Sequence, residues 1–156
     1  MAKYLLAFLI SMVPIIELRG GVPYAIGWGI DFFPALAICA IGNMLPVPFI
    51  YFFARKFLIW GAKQKYIGKF CDFCLQKGER GGRKLVKKAG RGGLFVALLL
   101  FVGIPLPGTG AWTGTLAASF LDMGFKSTVA AVTLGVLLAG CIMALASTGV
   151  FAFIGL

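Results

Sequence analysis

The chain has 156 residues, of which 60% are hydrophobic and only 13% are charged, with a net charge of +10. A soluble domain carries about 25% charged residues because its surface faces water, so this composition excludes an ordinary soluble domain. We expect a single membrane domain over residues 1–156, most of whose surface faces lipid.

The first repeat, residues 1–60, combines a short interrupted apolar stretch with a long one. Residues 4–16 are apolar, residues 20–23 (GGVP) interrupt them, and residues 24–30 follow before Asp31. Neither short piece reaches the roughly 20 residues that cross a bilayer, so the pattern predicts a re-entrant helical hairpin. Residues 34–60 are long enough for a transmembrane helix. Residues 1–16 resemble a signal peptide, but no small-x-small cleavage site follows, and we expect the segment to be retained.

The second element is a basic segment, residues 61–93. Of the 15 Lys and Arg residues, 12 lie between Arg55 and Arg91. Such a cluster is typical of a cytoplasmic loop in a membrane protein, so we predict anionic inner-leaflet lipids as its partner and no nucleic acid. Tyr66, Phe70 and Phe73 recur at helical spacing among lysines, which indicates an amphipathic helix. The Gly-rich part, 77–93, is predicted to be a flexible connector.

The second repeat, residues 94–156, has the same order of elements as the first. Residues 94–104 are apolar, residues 105–110 (PLPGTG) interrupt them, residues 111–121 follow before Asp122, and residues 127–156 form a second long stretch. Residues 20–24 align with residues 108–112. With a cytoplasmic basic loop, the hairpins enter from opposite faces and both termini are external. The prediction is an all-α integral membrane protein, an inverted repeat of re-entrant hairpin plus transmembrane helix, multi-pass in the cell inner (plasma) membrane.

Two charged residues, Glu17 and Arg19, are the only ionisable side chains predicted at membrane depth. Charges at that depth are costly and usually have a partner or a function. Arg19, with backbone N–H groups near Gly20 and Gly21, could hold an anionic headgroup, while Glu17 could carry a proton. The structural alternative is a salt bridge that fixes the hairpin.

The second interruption carries no charge. Gly108, Thr109 and Gly110 are expected to complete the substrate-binding lining if the two interruptions face each other. Cys71 and Cys74 form an isolated C-x-x-C pair, and the chain has no His. Nothing in the sequence indicates a nucleophile–base set or a metal cluster, so we predict no enzyme, no metal and no cofactor.

The sequences of the two interruptions, ELRGGVP (17–23) and IPLPGTGAWTG (104–114), resemble those of the putative small multidrug export protein family. That family is similar in layout to the DedA superfamily of membrane transporters. The DedA likeness implies paired re-entrant hairpins, proton dependence and transport of polyprenyl phosphate lipids. It also implies that Glu17 and Arg19 match the acidic and basic positions of the first hairpin. DedA relatives carry further charged residues near the second hairpin, which residues 105–110 lack.

The leading hypothesis is proton-coupled translocation of an amphipathic anion such as a polyprenyl (undecaprenyl) phosphate lipid. One alternative is a small multidrug exporter of lipophilic cations by proton antiport, with Glu17 as the shared site. The other is a non-transporting structural membrane protein. Because two long helices and two hairpins enclose little space, we also expect a homo-oligomer, most simply a dimer.

Overall fold

The structure is a computed structural model that describes residues 1–14, 16–106 and 109–154. In those residues the chain forms helices and no strand. In chain order the helices are α1 (Ala2–Met12), α2 (Glu17–Gly27), α3 (Phe32–Met44), α4 (Val47–Ala62), α5 (Gly68–Gly103), α6 (Ala111–Phe120) and α7 (Phe125–Ile154).

Two stretches of the described chain are long and apolar enough to cross a membrane. Phe32–Ala62 has 31 residues and a mean hydropathy of 1.8, and Phe125–Val150 has 26 residues and a mean hydropathy of 2.5. The first comprises α3 and α4, with Leu45 and Pro46 between them. The segments Ala2–Met12 and Gly90–Gly103 are apolar but shorter. These lengths agree with the pattern of long and short stretches predicted from the sequence.

The first interruption lies earlier than predicted. α1 ends at Met12 and α2 begins at Glu17, so Gly20 through Pro23 lie inside a helix, and their prediction as the break was wrong. Pro23 lies inside α2, where it cannot donate the hydrogen bond that the carbonyl of Arg19 would otherwise accept. Gly21 packs closely in the hairpin, where a Cβ would lie 3.2 Å from the Sγ of Cys39.

The basic segment is helical rather than an irregular connector. α5 runs from Gly68 to Gly103 and is kinked at Gly90, whose φ of 69° and ψ of 175° are not helical. Glycine adopts this conformation without the steric clash that a Cβ brings. The prediction of a connector over 77–93 was therefore wrong, whereas the predicted helix through Phe70 and Phe73 is present.

Glycines bring the helices of each half close together. A Cβ on Gly42 of α3 would lie 2.6 Å from the carbonyl oxygen of Phe8 in α1, and one on Gly135 of α7 would lie 2.8 Å from that of Leu99 in α5. Both distances are too short for a real side chain. Gly135 therefore packs against α5 of the same chain. Across the halves, α2 packs against α7 and α6 packs against α4.

α2 and α6 end in the same hydrogen bonds. The Ile30 N–H donates to the Ala25 carbonyl at 3.0 Å, and the Met123 N–H donates to the Ala118 carbonyl at 3.0 Å. The two donors lie 93 positions apart in the sequence, and so do the two acceptors. The first residues of α3 and α7 are also 93 positions apart. This separation differs from the 88 positions that align residues 20–24 with residues 108–112.

Candidate functional site

The two interruptions of the chain meet at the carboxylate of Glu17. Glu17 is the first residue of α2, and its side chain is only 5% exposed. The Trp112 N–H donates to Oε1 of Glu17 at 3.1 Å, and the Ala111 N–H also hydrogen-bonds this carboxylate. These two N–H groups belong to the first turn of α6, where a helix has unpaired donors and a partial positive charge. Glu17 therefore caps α6 from a distant part of the chain.

Gly110 makes room for that carboxylate. A Cβ built on Gly110 would lie 2.6 Å from Cδ of Glu17 and 2.8 Å from Oε1. Glu17 itself has a φ of 50°, in the left-handed region that costs a residue with a side chain about 1–2 kcal/mol. The charged hydrogen bonds to α6 are of the size needed to offset that cost.

Arg19 holds the backbone of the second interruption. Its guanidinium donates to the carbonyl oxygens of Leu106 and Ile104, the latter at 3.3 Å, and to Oγ1 of Thr109 at 2.7 Å. The Thr109 hydroxyl also lies within hydrogen-bond distance of those two carbonyls, at 3.0 Å from Ile104 and 2.9 Å from Leu106. The backbone of this interruption has no helix or sheet to bond its polar groups, and these side chains supply partners for its carbonyl oxygens.

The structure thus separates the predicted site residues into two groups. Glu17, Arg19, Thr109 and Gly110 lie together where the interruptions meet. Gly20 and Gly21 lie in α2, where a Cβ would meet the side chain of Ile16 or those of Ser11 and Cys39. Gly108, also predicted as part of the lining, lies outside the described residues. Each of the two charged side chains has its own hydrogen-bond partners, Glu17 at the first turn of α6 and Arg19 on residues 104–109. They therefore connect α2 to a distant part of the chain.

Trp112 is a site residue that the sequence analysis missed. Its backbone N–H binds Glu17, while its buried indole Nε1 has no hydrogen-bond partner among the described residues. A buried donor without a partner costs about 1–3 kcal/mol. The signal that could have found it is its place two residues after Gly110, in the first turn of the helix that follows the second interruption.

The indole of Trp112 also forms part of an apolar groove of about 430 Å³. The groove lies between α4 and α6 and is separate from the polar contacts of Arg19. It is lined by Ile50, Phe53, Ala54, Phe57, Trp112, Leu116 and Phe120.

The helices, the two candidate spans and the charged contacts between two interruptions define an all-helical membrane protein. The sequence pattern of one protein family, described as "Putative small multi-drug export protein", matches residues 17–142, and the chain belongs to this family. The description is that of a membrane transporter rather than an enzyme. No curated protein and no solved structure gives a match. The similarity to the DedA superfamily is shown by none of these comparisons and stays a prediction from the sequence.

Proposed function

We propose that this protein is a transporter that carries an amphipathic anion across the membrane together with a proton. The observation that supports this proposal is the position of the Glu17 carboxylate at the N-terminus of α6. Helix N-termini bind anions through their free N–H groups and partial positive charge. In the structure, Glu17 is the anion in that place, bound by Trp112 and Ala111.

Protonation of Glu17 changes what this place can bind. A neutral carboxyl accepts hydrogen bonds more weakly than a carboxylate, so the two N–H groups become available. The charge of Arg19, which interacts with that of Glu17, is then left without its counter-charge. Both changes favour the binding of a substrate anion at the first turn of α6. A proton and a substrate anion therefore bind together. A lipophilic cation would meet Arg19 and the positive end of α6, which both repel it.

We further propose that the halves form an inverted repeat of re-entrant hairpins. The shared separation of 93 positions at the ends of α2 and α6 supports this, as does the crosswise packing of α2 on α7 and α6 on α4. Glu17 and Gly110 are also separated by 93 positions, and they touch. A pseudo-twofold axis between them would place the site near the bilayer midplane, where inverted-repeat transporters bind substrates.

The basic segment supports a cytoplasmic face for the start of α5. Tyr66, Phe70 and Phe73 are exposed beside the exposed lysines Lys65 and Lys69. Exposed aromatic residues together with lysines match the interface of an anionic membrane, where each basic residue contributes about 1 kcal/mol. We propose that this helix lies on the inner leaflet of the plasma membrane.

The substrate class proposed is a lipid phosphate. The DedA likeness leads us to use a polyprenyl phosphate as the first substrate tested. The protein is placed in liposomes, and headgroup translocation is measured with and without a proton gradient. The variants are Glu17→Gln and Arg19→Ala, with Lys126→Ala, an exposed residue at the start of α7, as the control.

The expected result is a flux that depends on the gradient in the wild type and in Lys126→Ala. Glu17→Gln should abolish the effect of the gradient, and Arg19→Ala should abolish the flux. A second candidate is the export of a lipophilic cation; the family description names multi-drug export and no substrate charge. Cation flux that is lost in Glu17→Gln and retained in Arg19→Ala would replace the anion proposal with that function.

A further inference from the structure

We propose that the apolar groove between α4 and α6 binds the hydrocarbon chain of the transported anion, with the anionic head at the first turn of α6. This inference rests on the proposed function and adds the place of the apolar part of the substrate. The groove has a volume of about 430 Å³, and every side chain that lines it is hydrophobic. An apolar chain that lies in this groove contacts only hydrophobic side chains along the groove walls.

Trp112 connects the groove to the polar site. Its backbone N–H binds the Glu17 carboxylate at 3.1 Å, and its indole lines the groove. One residue therefore touches both the place proposed for the head and the place proposed for the chain. An amphipathic molecule whose head replaces the Glu17 carboxylate would have its chain start beside this indole.

The dimensions and the unpaired indole agree with such an occupant. The lining residues of α6 run from Trp112 to Phe120, about 12 Å along the helix axis at 1.5 Å per residue. The Nε1 donor of Trp112 is buried and has no partner among the described residues. If the indole turns this N–H toward the groove, a phosphate or ester oxygen near the head of the substrate would supply the acceptor that it lacks.

The test uses the fluorescence of Trp112 in a chain that carries Trp28→Phe and Trp60→Phe, so that Trp112 is the one tryptophan. The protein is titrated in micelles with a lipid phosphate whose chain is brominated, and in parallel with a brominated lipid of the same chain and a zwitterionic head. We expect saturable quenching by the phosphate at concentrations where the zwitterionic lipid has little effect. Equal, non-saturating quenching by both lipids would show a surface that faces bulk lipid and would overturn the proposal.

A second copy of the chain is the other possible occupant. Protection of Trp112 from both lipids, in a particle that light scattering shows to hold two chains, would assign the groove to that contact and overturn the proposal. Ala54→Phe places a ring in the groove and should weaken the quenching by about tenfold or more. Ala37→Phe is the control, because Ala37 is exposed on α3 and does not line the groove.

Failure of the groove and failure of the proposed function are distinguishable. If Glu17 competes with the head for the amides of α6, Glu17→Gln should lower the concentration for half-quenching by about tenfold. Head-selective quenching that is unchanged in Glu17→Gln would keep the groove and refute the proposed exchange at Glu17. The comparison of the two lipids uses an unaltered groove, so it decides the question even if Ala54→Phe does not fold.

Discussion

The contact between Gly110 and Glu17 gives the sharpest prediction. In Gly110→Ala, the new Cβ would lie 2.6 Å from Cδ of Glu17, a distance that real Cβ atoms do not tolerate. The carboxylate must withdraw, and it then loses the hydrogen bond from the Trp112 N–H. A hydrogen bond to a charged group contributes about 1.5–3 kcal/mol. We expect the free energy of unfolding to fall by about 2 kcal/mol. The ratio of folded to unfolded protein then decreases by about 30-fold.

The assay is reversible unfolding in mixed micelles, followed by helical ellipticity, for a double-mutant cycle of Gly110→Ala and Glu17→Ala. Once the carboxylate is gone the new methyl group has space, so the two costs should not add, with a coupling of about 1–2 kcal/mol. Gly124→Ala is the control, because a Cβ there would meet nothing within 4 Å. Additive costs in the cycle, or an equal loss in Gly124→Ala, would refute the contact.

Three further predictions follow from other parts of the chain. Gly135→Ala should lower stability by about 1–3 kcal/mol in the same unfolding assay, because the methyl group would meet the Leu99 carbonyl oxygen at 2.8 Å; an effect no larger than that of Gly124→Ala would contradict this. Phe70→Trp, in a chain otherwise free of tryptophan, should show a blue-shifted emission in anionic nanodiscs relative to zwitterionic ones, and equal spectra would exclude the proposed lipid contact. Light scattering in detergent should give the mass of two chains, and a constant mass of one chain would rule out the dimer.

The long and the short apolar helices could be predicted from the sequence, because the length of an apolar stretch determines whether it can cross a bilayer. The long spans and the short segments follow from hydropathy, since a bilayer requires a certain length. The position of the first interruption did not follow. Gly20 through Pro23 looked like a break because glycine and proline usually end helices, yet Gly21 is used for close packing on Ser11. Pro14, which lies between α1 and α2, is the residue that marks the actual interruption in the sequence.

Part of the candidate site could be proposed from the sequence. Two charged residues close together in an apolar segment stand out, because a charge is costly in apolar surroundings. Its partners are set by the tertiary fold: Glu17 bonds Trp112, 95 positions away, and Arg19 bonds Thr109, 90 positions away. No local pattern encodes those contacts. The role of Gly110 could not be inferred from the sequence, because it depends on the Glu17 carboxylate that packs against Gly110 in the fold.

The meeting of Glu17 and Gly110 also limits how alike the two halves of this chain can be. Glu17 and Gly110 lie 93 positions apart, at the starts of α2 and α6. The Glu17 carboxylate occupies the space that a side chain at Gly110 would take. Glutamate at both positions would force two carboxylates into the volume of one. Glycine at both would leave the first turn of α6 without its acceptor. A chain assembled from two identical halves could not build this contact, so a chain that arose by duplication must differ between its halves at these two positions.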